Sequence, residues 1–163
     1  MAASSDEKTT SLFVELLEKE LVCALGCTEP IALAYGAALA GRTLGEPVEH
    51  MVVRCSGNII KNVKSVVVPN SGGLKGVEVA AVLGLLGGDA DRELEVLQSV
   101  TPEVVERAQA LIAQGFCEVE LVEGVPNLFI VVEVSGAGHT ASVTLRDRHT
   151  NVVDVTRDGE TIQ

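Results

Sequence analysis

The repeat of apolar residues changes from helical to alternating at Gly115, and this change constrains the fold more than any other feature of the chain. Before it, apolar residues recur three and four apart in several runs, the spacing of helices with one buried face. After it, Cys117, Val119 and Leu121 alternate with Glu118 and Glu120, Leu128 to Val134 is nearly all apolar, and Ala141, Val143 and Leu145 alternate with polar partners. Helices early and mostly successive strands late predict an α+β fold: N-terminal helices packed on a mostly antiparallel or mixed β-sheet formed largely by the C-terminal half.

The helical part divides at its glycines and prolines. Leu12, Phe13, Leu16, Leu17 and Leu21 form one stripe, with Glu15 and Lys19 four apart on the other side, and Gly26 is expected to end that helix. A second helix is predicted over Ile31 to about Ala40, closed by Gly41 and the Gly45-Glu46-Pro47 turn. Val48 to Cys55 reads as a strand with Met51, Val53 and Cys55 on one face. The polar run Ser56 to Asn62 breaks it, and Ser65 to Val68 is expected to resume as a short strand before Pro69. Asn70-Ser71-Gly72-Gly73 is a turn into a helix over Val77 to Leu86, stopped by Gly87-Gly88. Asp89 to Ser99 supplies a short helix. Thr101-Pro102-Glu103 starts another, with Val104, Val105, Ala108, Leu111 and Ile112 as its buried stripe. Near the end Val152 to Thr156 is a strand, Asp158-Gly159 a hairpin signal, and Glu160 to Gln163 a very short final strand. An element stopping so soon is what a truncated or split polypeptide would show.

The 163 residues suit a single domain, 1–163, with a normal core. With three Phe, one Tyr and no Trp, that core must be built from Val, Leu, Ile and Ala. The formal charge of −11 and the lack of a basic stripe argue against nucleic acid as a partner. The longest uncharged apolar runs, Pro30 to Gly41 and Val79 to Gly88, fall short of the roughly 18 residues that span a bilayer, so no membrane span is expected. Met1 to Thr10 is polar and acidic, without the pattern of a secretory signal, which makes a cytoplasmic protein the expectation. Cys23, Cys27, Cys55 and Cys117 have no C-x-x-C spacing and are not read as disulfides.

Three places offer chemistry. Cys27-Thr28-Glu29-Pro30 sets a thiol just ahead of a helix start, with Thr28 as the expected cap and Pro30 in the first turn. Unpaired N–H groups and the helix dipole favour negative charge there, so Cys27 is a candidate nucleophile or metal ligand, or else a buried thiol beside an ordinary cap. Asn70 to Gly76 is a glycine-rich approach to a helix that lacks the Walker spacing; it is suited to a carboxylate or another small anion, or is a plain turn. Asn58, Lys61 and Asn62 form a polar cluster that suits an amino acid's carboxylate, with Lys61 a base if burial lowered its pKa, or is a solvated loop. His149 lies in the turn Arg148-His149-Thr150-Asn151, where a surface role competes with a catalytic one.

The run Ala24 to Ala32, A-L-G-C-T-E-P-I-A, resembles the N-terminal signature of the L-cysteine desulfidase family, which is related to the α chain of iron-sulfur L-serine dehydratases and includes the UPF0597 proteins. Further matches follow in the same order: N-x-x-K-N at Asn58 to Asn62, V-V-V-P-N-S-G-G at Val66 to Gly73, the glycines of Gly84 to Gly88, and His149-Thr150-Asn151. The set is specific, though no single motif suffices.

The resemblance implies a 4Fe-4S cluster held by three protein thiolates, and a lyase that removes the α-proton of a small L-amino acid and expels its β-substituent. L-cysteine would give sulfide, ammonia and pyruvate; L-serine dehydration is the alternative, and a non-catalytic small-molecule binding or assembly domain is another. It implies Cys27 as a metal ligand, Thr28, Asn58, Asn62, Ser71 and Gly72 around the substrate, and Lys61 and His149 as catalytic candidates. Family members are more than twice as long, and their other cluster cysteines lie in a C-terminal half that this chain lacks. Cys23, Cys55 and Cys117 do not match those positions. The chain is therefore expected to resemble the N-terminal half of such an enzyme, incomplete alone, with the missing half or a second subunit as partner and homo- or hetero-oligomers in prospect.

Overall fold

The computed structural model describes residues 3–20 and 27–163. Its elements are α1 (Ala3–Glu20), α2 (Thr28–Leu44), β1 (His50–Ser56), α3 (Gly57–Ser65), α4 (Val77–Gly87), a 3₁₀ segment (Ala90–Ser99), α5 (Pro102–Ala113), β2 (Cys117–Val122), β3 (Phe129–Gly136), β4 (His139–Arg146), β5 (Val152–Arg157) and β6 (Glu160–Thr161). The sheet order is β2-β1-β3-β4-β5-β6. β2 runs parallel to β1 and every other pair is antiparallel, so the sheet is mixed and four of its strands follow one another in sequence. The fold is α+β, as the change of period predicts.

Alternation decides which face is covered. Met51, Val53 and Cys55 of β1, Ile130, Val132 and Val134 of β3, and Ala141, Val143 and Leu145 of β4 are all buried on the face that carries the helices. The other face is solvated; there Arg54 reaches Glu120 on β2 at 2.8 Å and Glu133 on β3 at 3.6 Å. An antiparallel sheet tolerates this one-sided burial.

α2 is the central helix, buried along most of its length and lying over β3 and β4. Its small residues let α4 come close: a Cβ on Gly84 would collide with the backbone of Ala34. α2 continues one turn past the expected end at Ala40, because Gly41 remains helical and the left-handed Gly45 (φ 69°) closes the helix with an N–H bond to Gly41 O at 3.1 Å.

The strand expected over Ser65 to Val68 is not formed. α3 runs through Ser65, and only Val67 makes an isolated bridge, to Lys75. The reason is a cap and a repeat: Ser56 Oγ accepts from Ile59 N at 3.3 Å, and Ile59 and Val63, four apart, bury one face. Asp89 to Ser99 is 3₁₀ rather than α, with Glu93 at φ 46° breaking it. The hairpin signal is realised, Asp158 and Gly159 both taking positive φ, and Asp158 accepts from Thr140 N at 3.0 Å. That bond, with His139 at 2.9 Å, holds the Asp158 carboxyl below the usual carboxylate range. Among the described residues no helix is long and apolar enough to cross a membrane. The expected end at Gly26, the Lys19 side chain, Leu21 and Cys23 lie outside the described residues.

Candidate functional site

The direction of α2 places the site. Its C-terminal Leu44 carbonyl accepts from Arg157 Nε at 3.3 Å, at the end of the sheet where β5 finishes. Its N-terminus therefore points to the opposite end, where β1 stops at Ser56, β3 begins and β4 turns into β5. Cys27, not Thr28, is the N-cap, with extended backbone (φ −68°, ψ 137°) and no side-chain capping bond; Thr28 is the first helical residue, half-buried. The Cys27 thiol is exposed. It stands beside the unpaired N–H groups of the first turn of α2.

His149 arrives at the same end from the β4–β5 turn. That turn is tied by Asn151 Nδ2 donating to Arg146 O at 2.8 Å and by Asp147 N donating to Leu128 O at 3.0 Å. His149 Nε2 is buried without a hydrogen bond and lies 3.9 Å from Glu29 Oε1. Both side chains keep about a third of their surface open, 32% and 29%, so the pair sits at the surface of the end rather than in the core.

α3 starts here too, because it follows β1 directly. Ser56, almost wholly buried, donates to Asn127 O as well as capping α3, and so locks the β1–α3 corner to the loop before β3. Asn58 is exposed in the first turn; Lys61 is exposed and Asn62 half-buried one turn on. The sequence cluster is thus a helix rather than a loop, and among the described residues Lys61 makes no ion pair.

The Ser71-Gly72 loop is built differently. Ser71 is buried and its hydroxyl is committed, accepting from Leu74 N at 2.9 Å and donating to Leu74 O at 3.1 Å. Asn70 Nδ2 donates to Leu97 O at 2.9 Å, which pins the loop to the 3₁₀ segment, and Gly72 is exposed at φ 73° beside Val100, Pro102 and Val105. No hydrogen bond or ion pair among the described residues joins this loop to Cys27, Glu29 or His149.

Of the other described cysteines, Cys55 is buried and Cys117 half-buried. Burial, reinforced by the Glu78 carboxylate, pushes the Cys55 thiol up to about 11 and the Cys117 thiol up to about 12. Among the described residues no group of three His, Cys, Asp or Glu side chains converges as a metal site. They offer one exposed thiol, Cys27, against the three thiolates that the resemblance implies for a 4Fe-4S cluster.

Glu29, Ser56 and Glu78 have places that the sequence reading did not assign. The Ser56 cap was findable from Ser three residues before Ile59. Nothing local links Glu29 to His149 or Glu78 to Cys55 and Cys117, since those neighbours are made by the fold.

No protein-family model matches the chain. It is 46% identical over 146 residues to a UPF0597 protein of Lachnoclostridium phytofermentans, a match covering 90% of this chain and 35% of that protein. A UPF0597 protein of Oleidesulfovibrio alaskensis is 46% identical over 152 residues, covering 93% and 35%, and one of Treponema denticola 43% identical over 159 residues, covering 98% and 37%. The chain spans about a third of the length of these curated relatives. Through that third, the matches support the UPF0597 family for this chain.

Proposed function

We propose that this chain is part of an iron-sulfur-dependent lyase that eliminates the β-substituent of a small L-amino acid, L-cysteine first, with release of sulfide, ammonia and pyruvate. The observation that carries the reading is the exposed Cys27 thiol at the N-terminus of α2, two residues from Glu29, whose carboxylate faces the unbonded Nε2 of His149. A thiolate there is one ligand of three, the others coming from polypeptide beyond this chain. When bound, a cluster with an open iron would supply Lewis-acid chemistry.

The chain's own residues supply the rest. His149 Nε2, held by a tied turn and spending no hydrogen bond, is the proton acceptor within this end of the sheet. Glu29 Oε1 lies 3.9 Å from the ring nitrogen that takes the proton. Asn58, Lys61 and Asn62 on α3 donate toward the substrate carboxylate, and Lys61 is the alternative base. L-serine makes the same demands on these groups, since thiol and hydroxyl leaving groups differ little in what the amine and carboxylate require.

The test is anaerobic reconstitution with iron and sulfide, on the chain alone and with the remaining polypeptide of a UPF0597 relative, followed by sulfide and pyruvate assays on cysteine and serine. Turnover is expected only with the added polypeptide, and is expected to be lost in Cys27→Ala together with the cluster's absorbance. An unchanged cluster and activity in Cys27→Ala overturn the ligand assignment. Amino acids that bind without a cluster and are never consumed establish a binding module instead.

A further inference from the structure

α1 presents an apolar face that is exposed among the described residues. Every residue from Thr9 to Leu17 is exposed, and Leu12, Phe13, Val14, Leu16 and Leu17 keep between 48% and 66% of their surface open. Leu12 and Leu16, and Phe13 and Leu17, are four apart, so they stack into one stripe two side chains wide. A contiguous patch of this kind marks a contact surface rather than a solvated one. The two faces of the sheet offer it little among the described residues, because α2 and α4 already cover the buried side and the solvated side carries the Arg54 ion pairs.

We infer that this stripe docks against the polypeptide corresponding to the remaining two thirds of the UPF0597 relatives. The match with the Treponema protein takes in 159 of this chain's 163 residues, so residues 9–17 lie within it, and it covers 37% of that protein: there the equivalent of the stripe is covalently joined to a much larger body of chain. Tethering gives such a body an effective concentration on the order of millimolar, which a second free copy does not reach. A lipid surface is a poorer occupant, since the formal charge of −11 repels anionic headgroups, and helices that lie on membranes are rich in Lys and Arg. The inference shares its partner with the lyase reading but uses none of its chemistry.

The experiment places this chain, all 163 residues, in the Treponema protein in exchange for its matched stretch, and compares the chimera with the chain alone by hydrogen exchange and thermal unfolding. Amide exchange over residues 9–17 is expected to slow at least roughly tenfold in the chimera. Leu12→Glu with Leu16→Glu is expected to lower the chimera's melting temperature and remove that protection, yet leave the chain alone unchanged, because the two side chains are already exposed there. Val153→Glu, an exposed apolar site on β5, serves as the control that alters neither. If the chimera does not unfold cooperatively, the two polypeptides are co-expressed. Co-purification in a 1:1 ratio, lost in the double variant, then supports docking, and no co-purification overturns it.

Equal exchange in the chimera and the chain alone also overturns it. So does a dimer of the chain alone that the double variant dissociates, which makes a second copy the occupant, and so does variant-sensitive binding to phosphatidylcholine vesicles. Docking is scored without iron: protection of α1 with no lyase activity sinks the function and keeps the interface, and activity without protection does the reverse.

Discussion

His149 Nε2 stops 3.9 Å from Glu29 Oε1, too far for a hydrogen bond and close enough for charge to matter. A partly exposed pair of this kind contributes at most about 1 kcal/mol to folding. Glu29→Gln and His149→Gln are therefore each expected to shift the urea-unfolding free energy by less than about 1 kcal/mol. If the proposed lyase reading holds, His149→Gln is expected to lower kcat of the complete protein on the order of 10²-fold, the size of a lost acid-base group, and Glu29→Gln by less. Large stability losses with unchanged kcat would make the pair structural.

Gly84 faces the backbone of Ala34, so a Cβ there has no flexible side chain to displace. Gly84→Ala must push α4 away from α2 and is expected to cost about 3 kcal/mol or more, at the upper end of overpacking effects. Gly36→Ala meets only the tips of Leu145, at 2.8 Å, and Val132, at 3.3 Å, and is expected to cost clearly less. Chemical denaturation of both variants checks the order; a milder Gly84→Ala would mean that the helices are not in close contact.

Cys55 and Cys117 make the protein sensitive to alkali. Their folded thiols titrate at about 11 and about 12, above the ordinary value, through burial first and Glu78 second. A raised folded pKa gives stability that is complete below the unfolded pKa and is lost as pH rises through the folded one. Unfolding free energy is thus expected to be flat in this respect up to about pH 8.5, then to fall toward pH 11 with a slope approaching about 1.4 kcal/mol per pH unit for each thiol. Cys55→Ala with Cys117→Ala removes that slope even if it lowers the plateau. In alkylation at pH 8 followed by peptide mapping, exposed Cys27 is expected to react well before either of them.

Much of the layout follows from residues close together in sequence. Met51, Val53 and Cys55 announce the covered face of β1 by alternation, and Thr101-Pro102-Glu103 announces the start of α5, where Thr101 Oγ1 indeed accepts from Val104 N at 3.4 Å. The misreadings have local causes. Val66 to Val68 has strand composition, but the Ser56 cap and the Ile59–Val63 pair carry helix up to Ser65 and leave too little chain for pairing. Gly41 looks like a helix end, yet Leu85 packs against it within α2, and the left-handed Gly45 is the residue that closes the helix.

The site divides in the same way. Local patterning by itself determined that a thiol would precede a helix, that Asn58, Lys61 and Asn62 would form one polar cluster, and that His149 would sit in a turn, because caps, turns and periodicity depend on near neighbours. Only the tertiary structure decided that Glu29 faces His149, that Cys55 and Cys117 lose their acidity to burial and Glu78, that Asn70 ties its loop to Leu97, and that the α1 stripe is left exposed. Those outcomes depend on how α2 is oriented across the sheet and how closely α4 approaches it, and residues far apart in sequence meet only when the whole core has packed.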